Sequence, residues 1–107
     1  MSTVEAIAVE RFENRVRITV TGDLDLSLGD RFVTEFSRVA AEGNAIELDL
    51  RLLESIDSVG LSSIIRADRL VTAGDGPRLK VLIAESGSVR RMFEMTLLHL
   101  TLDVTTG

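Results

Sequence analysis

The apolar positions of this chain change period along its length, and each change marks an element. Ile46, Leu48 and Leu50 alternate with Glu47, Asp49 and Arg51, the period of two that marks a strand with one buried face. From Gly60 onward Leu61, Ile64, Ile65, Ala67 and Val71 recur at helical spacing, so a helix is predicted to begin just after Asp57-Ser58. Ser58 thus stands where the chain leaves a strand and enters a helix. On the N-terminal side, residues 4–12 read as a strand with Ile7 and Val9 apolar, and Asn14-Arg15 as a turn. Val16, Ile18 and Val20 then oppose Arg15, Arg17 and Thr19, which together give a hairpin. Gly22-Asp23-Leu24-Asp25 breaks the pattern. Leu28, Phe32, Phe36, Val39 and Ala40 predict an amphipathic helix over 27–41, closed at Glu42-Gly43-Asn44.

Beyond the central helix, Ala73-Gly74-Asp75-Gly76-Pro77 is a strong loop signal. Residues 79–84 predict a short strand. Ser86-Gly87-Ser88 opens a third helix with Val89, Met92, Phe93 and Met95 on its buried side, and 98–104 predicts a last strand or extended tail. The order β-β-α-β-α-β-α-β requires parallel pairing through right-handed crossovers. The expected architecture is α/β, a small mixed sheet of four to five strands with three to four helices mainly on one face. A length of 107 residues suits one domain spanning 1–107.

Composition narrows the function. A net charge of −5, with the basic residues scattered except for Arg90-Arg91, leaves no clustered basic surface for phosphates. Four Phe and no Trp or Tyr offer little for base stacking, so nucleic acid is excluded as a partner. No apolar run approaches the ~18 residues of a membrane span. The first residues lack a basic region followed by an apolar one, so no membrane insertion and a cytoplasmic location are expected. Cysteine is absent, which removes thiolate chemistry and sulfur metal sites.

Read from residue types alone, Asp57-Ser58 is a helix N-cap, since both side chains accept free N–H groups of a first helical turn. Catalysis by Ser58 lacks a base, because His99, the single histidine, lies among Leu97, Leu98 and Leu100, and the G-x-S-x-G elbow is missing. Asp23, Asp25 and Asp57 fall at strand ends, where carboxylates commonly cap helices or face solvent, and no metal is expected there. No phosphate-binding loop occurs: Gly74-Asp75-Gly76 runs into Pro77 as a turn. On a helical wheel Ser58, Ser62, Ile65 and Arg69 share one side, opposite Leu61, Ile64, Ala67 and Val71. Ile65 reads equally as an exposed anchor or as the edge of the core.

Four segments in order, Gly22-Asp23-Leu24-Asp25, Leu48-Asp49-Leu50, Ile56-Asp57-Ser58-Val59-Gly60-Leu61 and Val89-Arg90-Arg91-Met92-Phe93-Glu94-Met95, resemble the motifs of the STAS domains of bacterial anti-sigma factor antagonists. The resemblance covers nearly the whole chain. It implies the STAS fold and a regulatory protein that is not an enzyme and carries no cofactor. The implied partner is an anti-sigma factor that is also a serine kinase of the histidine-kinase-like ATPase fold, bound so that a sigma factor is released. The implied switch is phosphorylation of Ser58, reversed by a metal-dependent serine phosphatase. Together with the wheel, it implies a partner-binding set of Asp23, Asp25, Asp57, Ser58, Val59, Gly60, Ser62, Ile65 and Arg69. Two departures are present: Val59 stands where many antagonists have a second serine, and Met95-Thr96-Leu97-Leu98 lacks a small residue after the helical motif. The alternative is a STAS docking subunit of a lipid-transport ABC assembly, working without phosphate.

Overall fold

The computed structural model describes residues 6–74, 76–96 and 102–107. Five strands, β1 (Ile7–Arg11), β2 (Arg15–Val20), β4 (Ala45–Asp49), β6 (Lys80–Ile83) and β7 (Asp103–Thr106), form one sheet in the order β1-β2-β4-β6-β7. β1 runs antiparallel to β2, and the remaining pairs are parallel. Two further strands, β3 (Gly22–Leu24) and β5 (Leu53–Ile56), pair in parallel as a separate small sheet. Three helices complete the described residues: α1 (Leu26–Ala40), α2 (Ser58–Thr72) and α3 (Ser88–Met95).

The alternation seen in the sequence sets which face of the sheet is covered. Val16, Ile18 and Val20 of β2, Ile46 and Leu48 of β4, and Val81 and Ile83 of β6 are all buried. They join Phe32, Phe36 and Val39 of α1, Leu61, Ile64 and Ala67 of α2, and Val89 and Phe93 of α3 in one core cluster. The helices therefore lie over one face of the sheet. Phe32 and Phe36 pack with ring centroids 5.8 Å apart in a tilted arrangement, a geometry that aromatic quadrupoles favour. The opposite face is polar. Register places Glu10, Arg17, Glu47, Lys80 and Asp103 side by side across all five strands. Their signs alternate, and Arg17 bonds Glu47 at 2.7 Å.

The architecture agrees with the sequence reading, with four differences of detail. Residues 22–25, read as a break, contain β3, and residues 53–56, read as part of the passage into the helix, form β5. Strands of three and four residues are too short to display a period and exist through their mutual pairing. Gly22, at φ +85°, turns the chain out of β2 in a conformation other residues rarely adopt. α2 begins at Ser58 itself rather than just after it. Met95, expected on the buried side of α3, is 74% exposed, because the helix ends there and Val89 and Phe93, one turn apart, suffice to anchor it. The end of the sheet is β7 at Asp103–Thr106, and the part of the expected last strand at 98–101, with His99, lies outside the described residues.

Candidate functional site

The small sheet positions the site. In β3 and β5 Leu24 lies opposite Ile56, and both are buried. One residue beyond each, Asp25 and Asp57 are still extended and serve as the N-caps of α1 and α2. Two helices thus begin side by side, at about the 4.8 Å spacing of paired strands. Each opens with an acidic N-cap. Asp25 accepts hydrogen bonds from Ser27 N–H (3.1 Å), Leu28 N–H (3.3 Å) and the Ser27 hydroxyl (2.8 Å). Asp57 accepts from Gly60 N–H at 2.8 Å, and its own N–H reaches the Leu24 carbonyl at 3.4 Å. Asp23, one pleat earlier, accepts from the Ser55 hydroxyl at 2.6 Å across the strand pair.

Of the two N-cap candidates, Asp57 is the cap and Ser58 is the first helical residue. That frees the serine. Its side chain is exposed, and its hydroxyl has no hydrogen-bond partner among the described residues. The first intrahelical bond runs from Leu61 N–H to the Asp57 carbonyl, so the N–H groups of Ser58 and Val59 have no intrahelical acceptor. No acidic residue occupies the first turn of α2. A hydroxyl at this position sits in the favourable potential of a helix N-terminus and is open to solvent.

The expected partner-binding residues divide by place. Asp23, Asp25, Asp57, Ser58 and Val59 meet at the mouth of the small sheet, with Val59 39% exposed, and Ser62 follows one turn along α2, exposed. Ile65 is half-buried and packed against the core. Gly60 is buried and stands behind the surface: a Cβ there would collide with the Leu24 carbonyl oxygen and lie 2.8 Å from Ile56 Cγ1. Arg69 is exposed in the last turn of α2, about 16 Å along the helix axis from Ser58 at 1.5 Å per residue. It is not part of the same cluster.

Sequence reasoning misses Leu26 and Ser27. Leu26, the first residue of α1, is 69% exposed and stands beside the Asp25 cap. The available signal is that Leu26 falls off the apolar stripe of Leu28, Phe32, Phe36 and Val39. Among the described residues no group of His, Cys, Asp and Glu is arranged to hold a metal ion; the three aspartates are occupied as caps or by Ser55. No helix among them is long and apolar enough to cross a membrane.

Three described carboxylates have folded-state pKa values lowered from the ordinary one: Asp25, Asp49 and Glu42, the last through the Arg11 side chain. The Ser27 hydroxyl, then the Leu28 N–H, lower that of Asp25. The Arg51 side chain lowers that of Asp49, through bonds of 3.0 and 2.9 Å, while the Arg51 N–H adds another at 3.0 Å. A depressed folded value means stability that is present above the unfolded pKa of about 4 and is lost as pH falls through the folded one. The thermal unfolding midpoint is therefore expected to hold from neutral pH to about 5 and to drop below about 4. Replacing Asp49→Asn should flatten part of that acid limb. An unchanged limb in the variant would show that the Arg51 contact carries none of it.

A family model described as "Mlab, STAS domain" matches residues 7–102. No curated protein sequence matches the chain. An anti-sigma factor antagonist from Mycobacterium paratuberculosis is similar in structure, with TM-score 0.83 and 22% identity over 92% of this chain and 82% of that one. The anti-sigma factor antagonist SpoIIAA in its unphosphorylated form gives TM-score 0.69 at 17% identity, over 95% of this chain and 89% of that one. The Bacillus cell fate determinant SpoIIAA in the phosphorylated form also gives 0.69, at 19% identity over 95% and 91%.

Proposed function

This chain belongs to the STAS-domain family, and from that premise we propose that it is an anti-sigma factor antagonist switched by phosphorylation of Ser58. The observation that carries the reading is the Ser58 hydroxyl, exposed and without a hydrogen-bond partner among the described residues, at the first position of α2. A kinase needs an accessible acceptor oxygen that is not already committed. Asp57 performs the capping that would otherwise occupy it. In this reading the unmodified chain binds an anti-sigma factor of the serine-kinase type through Asp23, Asp25, Asp57, Ser58, Val59 and Ser62, and releases a sigma factor. The chain performs no chemistry itself. A serine phosphatase resets the switch.

Phosphate adds roughly −1.5 to −2 charges and three acceptor oxygens. On the fold this costs little, because the charge arrives at a helix N-terminus with free N–H groups. That SpoIIAA in both its forms matches this chain at the same TM-score supports a switch that leaves the fold alone. At the contact surface the balance reverses. The new charge lies near Asp25 and Asp57, must be desolvated on docking, and repels an acidic partner surface.

A second reading, a docking subunit of a membrane lipid-transport assembly in which Ser58 is never modified, has Val59 in its favour. An exposed apolar residue directly after Ser58, with Leu26 also exposed at the start of α1, suits lasting contact as well as a switched one. Intact-mass spectrometry separates the two. After incubation with ATP and the anti-sigma kinases encoded in the same genome, the protein is expected to gain one phosphate, and Ser58→Ala is expected to gain none. Absence of any gain with folded protein would favour the docking subunit.

A further inference from the structure

We propose that the groove between the second halves of α1 and α2 is a separate docking surface, fitted to an acidic amphipathic helix of a partner protein. The inference goes beyond the Ser58 switch and does not depend on it. Each helix continues one of two paired parallel strands, so α1 and α2 run in the same direction. Their contacts advance together: a Cβ on Gly29 would meet Ser63 and Val59, and farther on Val33 and Ser37 face Arg66, Arg69, Leu70 and Ala73 around a cavity of about 320 Å³. Its lining is largely apolar, from half-buried Val33 and exposed Ala73 and Leu70, the last 43% exposed. The Ser37 hydroxyl is already used, donating to the Val33 carbonyl at 2.8 Å.

Charge identifies the occupant. In a chain of net charge −5, Arg66 and Arg69 stand together at the groove with no hydrogen bond or ion pair among the described residues. Asp68, the acidic residue between them, lines a different cavity with Val71, Thr72 and Arg78. On α1 the nearby Arg38 is matched by Glu35 at 3.7 Å, so the local field is positive. Two guanidinium groups three residues apart are about one helical turn, some 4.5 Å, apart along the axis. That is the spacing of carboxylates at i and i+3 or i+4 on a facing helix. A small molecule is a poorer fit, because ligand cavities enclose most of their ligand, whereas this groove lies open along its length. Apolar side chains seated between two helices, with acidic residues on the arginines, is the helix-in-groove mode of recognition.

The test is a backbone-amide NMR titration of the full chain with a capped, alanine-based helical peptide. The peptide carries leucines along one stripe and glutamates one turn apart beside it. Shifts are expected at Val33, Ser37, Leu70 and Ala73. The dissociation constant should rise at least about fivefold in the Arg66→Glu/Arg69→Glu variant, and as much when lysines replace the glutamates of the peptide. Both arginines are exposed, so the variant should melt as the parent does. The proposal is overturned by shifts confined to other residues or by equal binding of the acidic and basic peptides. Stronger occupation of the groove by decanoate than by the acidic peptide would also overturn it, in favour of a lipid-chain site.

Discussion

Ser58→Asp is expected to weaken binding to the anti-sigma kinase by about 100-fold, close to 3 kcal/mol, while the protein stays folded. The two halves of this expectation have separate causes. Stability is protected because position 58 opens a helix with no acid in its first turn. A carboxylate there gains roughly 0.3–1 kcal/mol from the helix dipole. Binding is lost because the carboxylate joins Asp25 and Asp57 on a surface that must be desolvated against the partner. Ser58→Ala removes a hydroxyl that has no hydrogen-bond partner among the described residues, so its stability should stay within about 0.5 kcal/mol of the parent and its binding should persist. Calorimetric titration of both variants, with urea unfolding alongside, checks the pair. Equal affinities for the Asp and Ala variants would sink the switch.

Gly60→Ala should cost about 3 kcal/mol of folding stability, against the usual trend that alanine favours a helix by about 1 kcal/mol over glycine. The added methyl would collide with the Leu24 carbonyl oxygen and crowd Ile56 Cγ1 at 2.8 Å. The obstacle is backbone. Leu24 is held in β3 by its pairing with β5 and by the Asp57 N–H, so it cannot retreat without opening the small sheet. Gly29 provides the contrast. A Cβ there would meet the Ser63 hydroxyl at 2.8 Å, the end of a side chain that can rotate, and Gly29→Ala should cost roughly 1 kcal/mol or less. Urea denaturation of both variants gives the order. A smaller loss at position 60 than at 29 would mean that α2 does not rest on Leu24 as described.

Where a segment was long enough to show a period, sequence and structure agree. Val16, Ile18 and Val20, Phe32, Phe36 and Val39 of α1, and Leu61, Ile64 and Ala67 of α2 are buried as their spacing requires. β3 and β5 were not legible, because three or four residues with Asp23, Glu54 and Ser55 among them carry no periodic signal. Their pairing is tertiary. The same limit applies to the site. Asp57 and Asp25 were recognisable as caps from residue type, yet their adjacency depends on the hidden strand pair. Residue type also left Asp57 and Ser58 equal as caps, and only the geometry separates them. A helical wheel joined Arg69 to Ser58 because it records angle and ignores distance along the axis. The partner-binding set implied by the motif likewise included Gly60, although what matters at a glycine is how near the neighbouring backbone comes.

Each strand of the small sheet is separated from its helix by a single residue, Asp25 in one case and Asp57 in the other. Such turns leave no slack. Inserting one residue would rotate the following helix by about 100° about its axis and bring Leu26, or Ser58 and Val59, round toward the sheet while core side chains turned outward. Binding surfaces built on loops diversify by changing loop length. This one has no such freedom. On the proposed function, variation in what it recognises comes through substitution at a few outward positions, 26, 27, 58, 59 and 62, on a frame of constant length. A library that randomises those five and leaves the length unchanged is the economical way to retarget the domain.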